Sequence, residues 1–167
     1  MAWKLMLASA VAMAARSVPY AVAKPAGKSF IAHASDLLPL KSTPINSDWI
    51  ISGNPQARTA EHSRGHDEAS LTAIWDCTAG EFRWFFGWDE TVMILEGEVH
   101  ITAEDCTERT LCAGDVAFFA GGTWASWRVD SYVRKVAFLR KPFPKPLAIA
   151  YRLRNLLRNN GNQGIAA

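Results

Sequence analysis

The sequence predicts an all-β domain, an antiparallel β-barrel or jelly roll, with an N-terminal extension before it and an amphipathic helix after it. Three observations carry this prediction. Between Leu71 and Leu139, short runs rich in apolar and β-branched residues follow one another closely: LTAIW, FRWFF, TVMIL, EVHIT, RTLC, VAFFA, ASWRV and VRKVAFL. The separators CTAGE, GWDE, EGE, AEDCTE, AGD, GGT and DSY are rich in Gly, Asp and Ser, the residues of turns. No helical period lies between the runs, and strands at this spacing with tight turns are the pattern of a barrel or jelly roll.

Composition sets the frame for these elements. With 167 residues, 49% hydrophobic and 11% aromatic, the chain can build one globular domain with a real core. The net charge of +2 conceals an asymmetry: from Ser131 onward there are eight basic residues and no acid, leaving ten basic residues against sixteen acids before it. A basic tail behind an acidic body points to a tail that packs on the body, on a second subunit or on an anionic surface.

In chain order, residues 1–48 read as an extension. Its apolar run LMLASAVAMAA has eleven residues, well short of the roughly 18 to 20 that span a bilayer. Lys4 before it and Ala21-Val22-Ala23 after it resemble a secretory signal, whereas Arg16 and Pro19 make a poor junction. Two readings therefore stay open, targeting by residues 1–23 and a plain extension. Cys77, Cys106 and Cys112 are odd in number and lack a C-x-x-C pairing, which favours a reducing, cytoplasmic setting over a disulfide framework. Four prolines in residues 17–48 make an extended lead-in, with ordered structure expected from Trp49. Residues 49–140 are the barrel. His62 and His66 fall in a polar segment read as a solvated loop, and Asp115 after Gly114 reads as a turn cap.

Residues 141–167 begin with the stiff spacer KPFPKP. PLAIAYRLRNLLRN then predicts a helix with Ile149, Leu153, Leu156 and Leu157 on one stripe against Arg152, Arg154 and Arg158. Such a helix can cap the barrel, meet a partner or lie on a membrane surface. It has neither interleaved aromatics nor a groove-reading motif, so nucleic acid is not expected as a partner.

The stretch GEFRWFFGWDETVMILEG, Gly80–Gly97, is the centre of the functional reading. At the two-residue period of a strand, Phe82, Trp84, Phe86, Trp88 and Glu90 share a face, which sets a lone carboxylate at the end of a row of rings. A carboxylate there is costly unless it is solvated, paired or used. Asp89, its neighbour, faces the other way, so no carboxylate pair is expected. Phosphate-loop, nucleophile-elbow and Cys-His signatures are not found in the sequence.

The order of Gly80, Glu90 and Gly97, then Gly114-Asp115 and Gly122, resembles the two motifs of the cupin superfamily, G-x5-H-x-H-x3,4-E-x6-G and G-x5-P-x-G-x2-H-x3-N. The blocks IWDCTAGEFRW, DETVMILEGEVHIT, LCAGDVAFFAGGTWASW and VRKVAFL are similar to a small-cupin subgroup that includes domains related to ureidoglycine aminohydrolase and the ethanolamine-utilisation cupin. The resemblance implies a double-stranded β-helix, a jelly-roll cupin barrel, commonly a homodimer, with a pocket between the motifs. It also implies a metal that this chain is not equipped to hold. Trp84 and Phe86 match the two histidines of the first motif and Ala125 that of the second, so of the four usual ligands only Glu90 is kept. A ring carbon or a methyl group offers a metal no lone pair. No metal and no other cofactor is therefore expected.

The leading expectation is a metal-poor cupin that binds a small polar metabolite. Glu90 and Lys135 are its candidate polar, acid–base residues, and Trp75, Trp84, Phe86 and Trp127 its candidate ring walls. Two alternatives stand beside it. One is an amidohydrolase, lyase or isomerase of the ureide type that uses Glu90 as acid or base. The other is a plugged barrel serving as an interaction module through its basic helix.

Overall fold

A computed structural model describes Lys28 and residues 30–158, the side chains of Leu157 and Arg158 excepted. The targeting segment considered at residues 1–23 lies outside the described residues. The chain divides after Ile31, and the fold is that of the unit starting at Ala32.

Eight strands form it: β1 (Lys41–Ser42), β2 (Ile50–Gly53), β3 (Ala57–Arg64), β4 (Ser70–Phe86), β5 (Asp89–Ala103), β6 (Glu108–Cys112), β7 (Val116–Phe119) and β8 (Thr123–Arg140). One α-helix, α1 (Lys145–Arg158), follows. All pairings are antiparallel, in the order β1-β3-β4-β8-β5-β6, with β2 also on β4 and β7 on β5. The all-β jelly roll with a C-terminal helix is thus the observed architecture. Its centre is β8, which pairs with β4 from Arg140↔Ser70 to Thr123↔Phe86 and with β5 from Arg140↔Asp89 to Ala125↔Ala103.

The predicted runs are present but are joined differently. LTAIW and FRWFF are one strand of 17 residues, TVMIL and EVHIT one of 15, and ASWRV and VRKVAFL one of 18. CTAGE, EGE and DSY are therefore bends inside strands, not hairpin turns. A straight strand of that length would run about 55 Å, too long for one core, and bulges fold it over. The register of β4 against β8 shifts between Thr78 and Gly80, and that of β5 against β8 between Gly97 and His100. Gly97 takes φ of +72°, and a Cβ there would lie 2.0 Å from the carbonyl oxygen of Tyr132. Only a residue without a side chain lets β5 cross β8 at this bend.

Ordered structure also starts ahead of Trp49. β1 pairs with β3, and Ile45 belongs to the buried core. His62 lies in β3, not in a loop, at a register shift between the Glu61↔Ala73 and Ser63↔Thr72 pairs with β4. Asp115 caps its turn as expected, its Oδ2 accepting from the Cys112 N–H at 2.9 Å.

Inward positions alternate along each long strand. Val92 and Ile94 of β5, Phe82 and Phe86 of β4, and Val129 and Val133 of β8 are buried. The row of rings ending in a carboxylate is broken, however, because Gly87 and Trp88 form the link between β4 and β5 and β8 separates the two strands in the sheet. The rings of β4 and Glu90 of β5 are linked instead through Lys135 of β8, which contacts both Glu90 and Trp75.

Candidate functional site

Three strands bring the candidate residues together. Trp75 on β4 lies directly across from Lys135 on β8, and Trp127, further back on β8, lies across from Phe82. Glu90 enters from the start of β5, where Leu139 and Phe119 flank it. Lys135 donates from Nζ to Glu90 Oε1 at 2.7 Å, and the two residues are only 4% and 6% exposed. The ammonium also lies 4.4 Å from the Trp127 ring centre and 5.0 Å from that of Trp75, so it meets a carboxylate and two π faces together. The strand parity that sends Lys135 inward sends Arg134 outward, where it donates to the Ser35 carbonyl.

The rings form a continuous cluster. Trp75 meets Trp127 edge-on at 5.9 Å and Trp84 at 6.1 Å, and Phe82 stacks on Trp127 at 6.3 Å. Phe86 stacks on Phe119 at 4.3 Å with planes 5° apart. Trp75, Phe86 and Trp127 are buried, whereas Trp84 is half-buried and packs edge-on against Trp49 at 5.8 Å. Phe82 was placed in the row of rings but not among the candidate walls, and Phe119 and Trp49 were not singled out for the site. Phe82 shares strand parity with Trp84 and could have been included. Phe119 could not be told from Phe118 without the register, and Trp49 lies outside the motif-bearing strands. Among the described residues, the indole Nε1 atoms of Trp75 and Trp127 are buried without a hydrogen-bond partner. Each such donor costs on the order of 1–3 kcal/mol.

Next to the pair, burial pushes the Cys77 thiol up to about 12; neighbouring Asp76 adds to this and Lys135 opposes it. Asp76 is itself only 1% exposed but faces away from Cys77, taking two hydrogen bonds from Arg58, at 2.5 and 3.0 Å, and one from the Tyr132 hydroxyl at 3.0 Å. That hydroxyl is held above its ordinary range by burial and by Asp76.

The donor set at the cupin metal position does not fit a metal. Trp84, Phe86 and Ala125 contribute rings and a methyl group, and the one carboxylate is already bound by a lysine ammonium that would repel a cation. A different group, Glu98, His100 and Asp130 on the outer face, brings three ligand-type atoms within 4.8 Å of one another. It is satisfied from within the chain: His100 bonds Thr110 at 2.8 Å and Asp130 at 3.0 Å, and Arg128 holds Asp130 at 2.7 Å. Beside it lies a polar cleft of about 310 Å³ with Glu81, Glu108, Arg109 and Arg128 in its walls. A second cleft of about 230 Å³, apolar and with His33, Leu38, His62 and Ile74 in its walls, is also on the outer face. Neither cleft includes Glu90, Lys135 or the four candidate rings.

A bent jelly roll with its inward carboxylate between two glycine-marked motifs is the barrel of a cupin. Residues 64–137 match the family model of the EutQ-like cupin domain, and the chain is a small cupin related to that group. Among solved structures, a DUF861-family protein of unknown function from Pseudomonas syringae shares 27% identity over 62% of this chain and 45% of its own, with a TM-score of 0.57. A DUF861-family protein from Thermotoga maritima shares 38% identity over 38% of this chain and 73% of its own, with a TM-score of 0.37. A predicted oxalate decarboxylase from the same organism shares 16% identity over 67% of this chain and all of its own, with a TM-score of 0.53, a likeness of fold alone. The chain thus spans less than half the length of the Pseudomonas protein. No curated protein is matched.

Proposed function

We propose that this cupin binds a small polar metabolite inside its barrel, held at one end by Glu90 and Lys135 and walled by Trp75, Trp84, Phe86 and Trp127. The observation that supports this reading is the buried Lys135–Glu90 pair at 2.7 Å, surrounded by rings and accompanied by two indole N–H groups without partners. A buried ion pair is a poor source of stability, since well-packed apolar residues of similar volume are often as good or better. A ligand with an acceptor for the indoles and a polar group for the pair would use what folding leaves unused. Entry requires side-chain movement, and Trp84 is the ring of the four that is not fully buried. Acid–base turnover is the finer form of the same reading, with the proton passing between a bound substrate and Glu90 while Lys135 balances the charge.

The test is a thermal-shift screen of the intact chain against small carboxylates, amides and amino alcohols. A compound present at 100 times its Kd should stabilise the protein by about 2.7 kcal/mol, raising Tm by roughly 5 to 10 °C in a chain of this size. Each hit is then measured on Glu90→Gln and on Trp84→Ala relative to its own unliganded Tm, and the shift should shrink in both. Hits whose shifts are untouched by both substitutions would place binding elsewhere and remove the barrel site.

A further inference from the structure

We propose that α1 is a membrane-surface anchor that lays its apolar stripe into the headgroup region of an anionic bilayer. The helix has 14 residues and starts after the Pro142–Pro144 spacer, where the Pro144 carbonyl accepts from the N–H groups of Leu147 and Ala148 at 2.9 and 3.0 Å. Among its described side chains none of the large apolar ones is covered: Leu147, Ile149, Tyr151, Leu153 and Leu156 are 43% to 73% exposed. At about 100° per residue, Ile149, Leu153 and Leu156 fall within about 60° of one another. Lys145 and Arg152 border that stripe on one side, with Arg154 across from it, and the helix contains no acid.

Charge decides what kind of surface completes this face. The spacer and helix carry Lys141, Lys145, Arg152, Arg154 and Arg158 and no acid. A second copy of the helix would bring like charge to the same seam. Moreover, 14 residues are two heptads, and sustained coiled-coil pairing takes three or four. A bilayer rich in anionic lipid supplies both missing partners at once, an apolar layer for the stripe and negative charge for its borders. Phe143 and Tyr151, whose rings meet at 5.7 Å and are 38% and 43% exposed, add amphipathic aromatic surface at the entry to the helix. Among the described residues no helix is long and apolar enough to cross a membrane, so α1 would lie on it.

The experiment is sedimentation of the full chain with vesicles of phosphatidylcholine, alone or mixed with phosphatidylglycerol, at low and high salt. Binding is expected to the mixed vesicles and to weaken with salt. Arg152→Gln and Arg154→Gln should each weaken it about fivefold, and roughly 30-fold together. Leu153→Glu should abolish it while leaving the barrel's unfolding transition in place. Equal binding to neutral vesicles, or binding that survives Leu153→Glu, would overturn the proposal, the latter by assigning attachment to another segment such as the apolar run before Ala15. Absence of vesicle binding would overturn it as well, and a fall in solution mass with Leu153→Glu would then give the helix to a second copy of the chain.

Discussion

Replacing Lys135 with Met isolates the energetics of the barrel interior. The substitution keeps the length of the stem and its contact with Trp75 and Trp127 but removes the ammonium that Glu90 holds at 2.7 Å. Glu90, 6% exposed, is left as an acid among rings without its partner. Breaking a buried pair from one side costs about 3–5 kcal/mol, which is roughly a fifth or more of the stability of a typical domain. With a urea m-value of about 2 kcal/mol/M, the unfolding midpoint should fall by about 2 M. The double variant Lys135→Met/Glu90→Leu removes both charges. It should recover to within about 1 kcal/mol of the parent or exceed it, because no group is then desolvated without compensation. Urea titrations of the four proteins form a thermodynamic cycle, with an expected coupling of more than about 2 kcal/mol. A loss below about 1 kcal/mol in the single variant, or a double variant as unstable as the two singles added, would show that the pair is not desolvated as argued.

Two further perturbations probe the scaffold. Gly97→Ala should cost more than about 3 kcal/mol in the same urea titration, since it combines left-handed backbone with a Cβ 2.0 Å from a carbonyl oxygen; a cost near that of an ordinary surface change would show that the bend can move. Two thiols, those of exposed Cys106 and Cys112, should react with Ellman's reagent in the native protein, and buried Cys77 only after denaturation. Because the Cys77 thiol is raised from 9.0 to about 12, the unfolded chain ionises it first, and stability is lost as pH climbs through that window. Tyr132 shifts in the same direction, so the specific check is that Cys77→Ala loses stability less steeply with alkali, by at most about 1.4 kcal/mol per pH unit.

Much of the barrel was legible because its signals are local. Strand content, the turn at Asp115 and the inward parity of Phe86 follow from two-residue alternation and turn chemistry. The joining of short runs into three long strands was not legible. A glycine with positive φ serves a hairpin turn and a bulge equally well, and only the neighbouring strand decides between them. At Gly97 that neighbour is the Tyr132 carbonyl, 35 residues further along the chain. The same limit explains the site. Lys135 and Arg134 could not be told apart by parity until Trp75↔Lys135 fixed which one enters the barrel. Glu90 was singled out as a carboxylate that must be solvated, paired or used, and it is paired, with Lys135, but its shared strand face with the rings dissolved once the link at Gly87 and Trp88 turned the chain.

The chemistry of the interior follows from one exchange. In the resembling motif, histidines and a glutamate surround a cation; here the histidine positions carry Trp84, Phe86 and Ala125, and the glutamate remains. A carboxylate kept there without a positive charge would be expensive. Lys135 provides that charge from β8, and the faces of Trp75 and Trp127 share in stabilising it. Lys135 and Glu90 therefore keep the interior neutral as a unit. That pairing can still be rearranged by a ligand that competes for Lys135. Such a ligand would have to carry an acceptor strong enough to replace a carboxylate at 2.7 Å and to leave Glu90 a donor in return. Molecules that unite an acid or amide oxygen with an amine or hydroxyl meet both requirements, which is why those classes head the ligand screen.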